Sequence, residues 1–366
     1  MKFTISRDQL LKALQKIHTL LVKQDTHSIL ENVLLETNKD TLFLTAINLE
    51  IEIIIKIPIL TLYQIGSTTV AGKKLFNICR RLSKNIIITI QSYEKNLTII
   101  TKNSFFSLMT LSEKNFPSIC NFKTKIQFNI SPHILKIMLH ATYFSMANHD
   151  VRYYLNGMLL EIDQNNIRAI ATDGYRIAIY NMPINLSILP YSIIIPRKTI
   201  IELMRLLDNS DELSNILIGL NSIRIKMENM TITSKLIEGS FPDYRLILIH
   251  HPIKIIEVNI NILKESLLRV AILSNEKFHA VHFLLKKNQL EISTNNKNEQ
   301  AKEIINLKYS SNMNIEIDIN INYILDVLNV LHHETIMFFI DKTISKIQLQ
   351  ETENSLISYI IMPLRL

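Results

Sequence analysis

Cysteine is scarce in this chain of 366 residues: Cys79 and Cys120 are the two present, far apart and without a Cys-x-x-Cys or Cys/His spacing. That pattern excludes a thiolate zinc site and reads as a reduced, cytoplasmic protein with buried thiols. Glycine and proline are also few, at 6 and 9. A glycine-rich phosphate loop has no material here, and any domains must follow one another through short, structured connections. Long apolar runs are missing as well. "IEIIIKIPIL" is short, interrupted by charge and rich in β-branched residues, so it reads as strand and not as a membrane span. The opening "MKFTISRDQLLKAL" carries charges throughout, which reads against a secretory signal.

What remains is an ordinary globular composition, 47% apolar and 20% charged. The length exceeds what one core usually serves, so two or three domains are expected. A net charge of +7 and a pI near 9.1 make a polyanion a reasonable partner. A coding drift toward Ile, Asn and Lys would produce the same excess.

Internal repeats organise the chain. "KKLFNICRRL" from Lys73, "KTIIELMRLL" from Lys198 and "NYILDVLNVL" from Asn322 align at offsets of 125 and 124. Leu75, Ile78, Cys79 and Leu82 match Ile200, Leu203, Met204 and Leu207, then Ile324, Val327, Leu328 and Leu331. Their i, i+3, i+4, i+7 spacing is that of an amphipathic helix. "FTIS", "FNIS" and "VNIN", from Phe3, Phe128 and Val258, each open a copy as a strand leading into another helix, and Phe-Pro recurs at Phe116 and Phe241. The reading is α+β: three tandem modules, each of two helices on antiparallel sheet, over 1–120, 121–247 and 248–366.

In "ATDGYRIAI", from Ala171, Asp173 falls 125 residues after Asn48 and 123 before Asn296, all at one post-strand position. Asp173 is therefore expected to be a turn former, with Gly174 supplying permissive backbone, and not a catalytic carboxylate. Elsewhere the carboxylates are scattered, and the histidine pairs His250-His251 and His332-His333 lack metal spacing. No catalytic or metal-binding residue and no cofactor is expected. Basic residues concentrate on the predicted helices, at Arg7, Lys12, Lys16, Lys23, Lys73, Lys74, Arg80, Arg81, Lys84, Lys136, Arg197, Lys198, Arg205, Lys264, Arg269 and Lys277. They imply a face turned to phosphates.

"FSMANHDVRYYLNGMLLE", "ATDGYRIAI", "SFPDYR", "AILSNEKF" and the terminal "MPLRL" closely resemble the β subunit of bacterial DNA polymerase III, the sliding-clamp family, and the likeness covers essentially the whole chain. The resemblance implies a non-catalytic processivity subunit, a head-to-tail homodimer closing a six-module ring around duplex DNA without reading bases. Twelve helices spaced ~10 Å apart make a circle ~120 Å around and roughly 38 Å across, which leaves a hole of ~28 Å after one helix thickness. A duplex fits. The implied partners are DNA, the polymerase III α subunit, the clamp loader and other proteins carrying clamp-binding peptides, with no membrane.

By resemblance, a peptide pocket includes Leu155, Thr172, Gly174, Tyr175, Arg176, Ile177, Pro242, Leu246 and Ile247, closed by Ile360, Met362, Pro363, Leu364 and Arg365, with Asn320, Tyr323 and Ile344 in an adjoining groove. Lys73, Lys74, Arg152, Tyr153 and Tyr154 match DNA contacts, although both tyrosines would also serve as core aromatics. Ile272 and Leu273 would meet Phe106 and Leu108 of a second chain, with Lys74 reaching Glu299 or Glu303. Family members often carry a histidine at the place of Tyr175, a small residue at that of Lys346 and an arginine at that of Gln24. Two other readings remain at this stage: a DNA-modifying enzyme using Asp173, His149 and Arg152, and a monomeric peptide-binding adaptor.

Overall fold

The computed structural model describes residues 1–366 except 22–27, 120–121, 187, 250–251, 253, 276–277, 297–298, 310–313, 353–354 and 365–366. The expectations for Lys23, Gln24, Cys120, His250, His251, Lys277 and Arg365 lie outside the described residues. Six α-helices are described: α1 Arg7–Ile17, α2 Gly72–Arg81, α3 Pro132–Thr142, α4 Arg197–Leu206, α5 Ile260–Ala271 and α6 Ile321–Val330. Their starts follow local chemistry. Pro132 opens α3 where its missing N–H has no intrahelical use. The Asn259 and Asn320 side chains cap α5 and α6 by accepting from the N–H groups of Ile262 and Asn322. Among the described residues no helix is long and apolar enough to cross a membrane.

The chain forms two compact units, Met1–His133 with Leu206–Leu236, and Ile134–Arg205 with Ile237–Leu366. The first holds one 13-stranded antiparallel sheet. Within it α1 and α2 bury Leu10, Leu14, Ile17, Leu75 and Cys79. Fully burying each of those larger apolar side chains is worth about 1.5–3 kcal/mol, an upper figure because the unfolded chain is already partly collapsed. Arg7 departs from expectation. It is 5% exposed, its guanidinium donating to the carbonyls of Cys79 and Arg80 at the end of α2 and to Asp8, so it caps a helix and adds nothing to a basic surface.

The second unit holds an 8-stranded and a 4-stranded sheet. In each unit one repeat boundary is spanned by the same strand pair. In the first, Ile51–Pro58 pairs antiparallel with Met230–Lys235, Ile51 opposite Ser234. In the second, the repeat-equivalent Arg176–Pro183 pairs with Ile357–Ile361, Arg176 opposite Ile361. Among the described residues the third copy's equivalent, Glu299–Asn306, has a strand on one side only, Gln289–Asn296. The first copy's equivalent closing strand, Phe105–Leu111, lies along Asn96–Ile100, while its other edge meets Gly66–Ala71 only at Thr110 and Leu111. These two edges are open, and strand edges are templates for pairing.

Candidate functional site

The hairpin between Asn166–Thr172 and Arg176–Pro183 turns as the repeat predicts. Asp173 Oδ1 accepts from the N–H groups of Tyr175 and Arg176, at 2.9 and 3.1 Å, as Asn48 Oδ1 accepts from Glu50 and Ile51. This is an Asx turn. Gly174 adopts φ +93°, a left-handed conformation suited to glycine. A Cβ there would also lie 3.1 Å from the Arg152 guanidinium, so a side chain has little space.

The turn forms one wall of a cavity of about 190 Å³ within the second unit. Leu155, Thr172, Gly174, Tyr175, Arg176, Ile177, Pro242, Ile247, Ile360 and Met362, all named by resemblance, line it together. Arg152, Phe241 and Tyr244 line it too, and sequence reasoning had not placed them there. Leu246 is instead 81% exposed. It sits in the 3₁₀ turn Tyr244–Ile247, where residues three apart share a face: Tyr244 and Ile247 look inward and Leu246 does not.

Arg176 is the structural centre of the wall. Its guanidinium donates to Asp173 Oδ2 at 3.0 Å, to Asp326 Oδ2 at 2.6 Å and to the Phe144 carbonyl at 2.7 Å. It also lies over the rings of Phe144 and Tyr323, 5.4 and 4.5 Å from their centroids. Its charge is used inside the protein, which leaves mainly its stem to face the cavity. Tyr323 thus backs the wall from behind, and burial, then the Asp173 charge, pushes its phenol up.

The terminal segment closes the other side. The Met362 N–H donates to the Tyr175 carbonyl at 2.9 Å and the Leu364 N–H to the Asp318 carbonyl at 2.7 Å. Pro363 and Leu364 are half-buried along this edge but do not line the cavity. Asn320 caps α6 and donates to the Phe278 carbonyl. Ile344 packs against the core of the third repeat with φ +51°, a rare conformation for a β-branched residue. Asp341 stabilises that turn, accepting from Thr343 and Ser345 hydroxyls and from the Ser345 and Lys346 N–H groups.

Tyr244 is fixed by its hydroxyl donating to Glu161 Oε2 at 2.6 Å, beside the Arg245–Glu161 ion pair. Burial and that bond push its phenol up. Apolar walls with a few fixed polar groups suit anchoring side chains of a short peptide. Among the described residues no three His, Cys, Asp or Glu side chains group to hold a metal.

On the helices, Lys73 and Lys74 are exposed in the first turn of α2, which has no acidic residue there. Two cations at a helix N-terminus oppose the macrodipole, so helix stability does not explain them. Arg197 and Lys198 occupy the equivalent first turn of α4, Arg197 donating to the Met146 carbonyl. By contrast Arg205 and Arg269 are neutralised by Glu202 and Glu303. Arg152 pairs with Asp150 at 3.0 Å and faces the cavity; Tyr153 is exposed and Tyr154 packs beside the cavity's apolar cluster. Phe106, Leu108 and Leu273 are half-buried and Ile272 is 79% exposed, with Phe105, Met109 and Ile304 also apolar and exposed on the two open-edged strands. Glu303 is already engaged by Arg269, whereas Glu299 is exposed.

Three family models match in order: the DNA polymerase III beta subunit N-terminal domain over residues 1–120, its central domain over 129–243 and its C-terminal domain over 247–365. A beta sliding clamp of Buchnera aphidicola subsp. Rhopalosiphum padi is 44% identical and that of Escherichia coli 40%, each alignment covering 100% of both chains. The crystal structure of the DNA polymerase III subunit beta from Pseudomonas aeruginosa superposes with a TM-score of 0.96 at 36% identity, again covering 100% of both chains.

Proposed function

This chain belongs to the DNA polymerase III β-subunit family and is a sliding clamp, a processivity factor and not an enzyme; on that premise we propose how its own residues close a ring, meet DNA and hold partners. The observation that carries the proposal is the strand pairing at the two repeat boundaries. The same pairing, applied once more, joins the open edge of Glu299–Asn306 in one chain to that of Phe105–Leu111 in a second. Two such seams close a head-to-tail dimer of six modules, and each seam covers an edge that would otherwise promote aggregation. Ile272 and Leu273 with Phe106 and Leu108 supply apolar contact, and Glu299 is the carboxylate available to Lys74.

A closed ring is retained on DNA by topology, so its hold on phosphates need only be loose. Lys73, Lys74 and Lys198, at the N-terminal turns of α2 and α4, are placed where backbone N–H groups also favour anions. Tyr153 is exposed and adjoins Arg152 in sequence; Arg152 pairs with Asp150 and lines the cavity, and its contact with DNA is part of the proposal. The cavity receives apolar anchors of short peptides from the polymerase III α subunit, the clamp loader and other DNA-processing proteins. The protein acts in the cytoplasm, beside bacterial DNA.

Cysteine scanning tests the seam. Single cysteines placed across 105–109 and across 300–304, combined in pairs and oxidised, should give covalent dimers. The pairs that link should step in opposite directions along the two strands; absence of any linked pair in a folded dimer would place the interface elsewhere.

A further inference from the structure

We propose that Lys346 is a specificity-determining residue of the cavity, selecting peptides that carry a carboxylate beyond their apolar anchors; this rests on the cavity being the peptide site. Ile177 and Ile360 line the cavity and lie opposite one another in the sheet, and Gln348 is the next partner of Ile360. Cross-strand partners share a face, so this row continues the cavity floor. Gln348 and Lys346 both reach the segment that follows cavity-lining Ile247: Gln348 Oε1 accepts from the Ile249 N–H at 2.9 Å, and Lys346 Nζ donates to the Leu248 carbonyl at 3.4 Å. Leu248 itself packs against the apolar cluster that contains Ile177 and Ile360. The ammonium therefore stands at one end of an apolar floor.

Its neighbours leave it short of partners. Arg152 has Asp150, Arg176 has Asp173 and Asp326, and Arg245 has Glu161. Among the described residues no carboxylate comes within ion-pair distance of Lys346, and Asp341 spends its oxygens on its own turn. A half-buried ammonium with three donors and one long bond to a neutral carbonyl has donors to spare for an anion. A free C-terminal carboxylate and an acidic side chain offer the same chemistry.

The test uses the full-length protein and three fluorescein-labelled peptides: Gly-Ser-Leu-Ser-Leu-Phe as the free acid, the same peptide amidated, and the amidated peptide with Glu replacing its second Ser. At moderate salt, at least one carboxylate-bearing peptide should bind about 3- to 10-fold more tightly than the amide, the range of a partly shielded ion pair. Whichever gains identifies terminal or side-chain carboxylate as the source. Lys346→Ala should abolish the difference, its continued binding of the amide showing the cavity intact, and Lys346→Arg should restore it. Equal affinities in the parent, or a difference that survives in Lys346→Ala, overturns the assignment to Lys346. Failure of the amide to bind the parent overturns the peptide-site reading itself.

Discussion

Arg176 Nη1 and Asp326 Oδ2 meet at 2.6 Å across 150 residues of sequence, joining the turn that walls the cavity to helix α6 of the third repeat. Arg176 is largely buried and Asp326 partly exposed, so the bond matters more for the shape of the wall than for raw stability. Asp326→Ala should cost about 1–2 kcal/mol in urea denaturation, the scale of a charged hydrogen bond near the surface. It should also weaken peptide binding although Asp326 does not line the cavity, and Asp326→Glu should recover much of the loss. Unchanged binding in a stable Asp326→Ala protein would remove this residue from the support of the wall.

Lys73→Ala with Lys74→Ala should reduce DNA affinity and lower the slope of log K against log salt by about 0.9 for each phosphate no longer neutralised. Filter binding on duplex DNA at several salt concentrations reads the slope. Since the two cations oppose the α2 dipole, the double variant should unfold at equal or higher temperature. An unchanged slope would make them ordinary solvated side chains.

Asp341 sets a pH dependence. Burial pushes its carboxyl up, but the hydrogen bonds from Thr343, Ser345 and Lys346 outweigh this and hold it below its ordinary value of 3.8. A depressed acid stabilises fully above the ordinary pKa, and the contribution disappears as pH falls through the lower folded-state value. Asp341→Asn should therefore cost about 1 kcal/mol at pH 6, and the gap to the parent should close as melts are taken to below pH 4. A gap independent of pH would mean that the turn does not depend on the ionised form.

Much of this was legible in the sequence because it is periodic. The amphipathic spacing of Leu75, Ile78, Cys79 and Leu82 recurs in the other copies, and Asn48 and Asp173 perform one turn chemistry at equivalent places. What was not legible depends on groups distant in the chain. A cation such as Arg7 reads as surface until the end of α2, 72 residues away, is seen to supply its acceptors. Leu246 reads like its neighbour Ile247, and only the threefold rotation of a 3₁₀ turn separates them. Phe105, Met109 and Ile304 carry no local signal of their exposure, which becomes visible only when the strand registers show how little of each edge is paired.

Retention on DNA tests the central claim most directly. The protein, loaded onto a nicked circular duplex by a clamp loader and ATP and passed through a gel-filtration column at a salt concentration that removes loose binding, should elute with the circle. Cutting the circle once should release it, and a disulfide across both seams should preserve retention on the circle while still permitting release from the cut DNA. Equal retention on circular and cut DNA would contradict a topological ring and show instead that the protein is held by direct affinity.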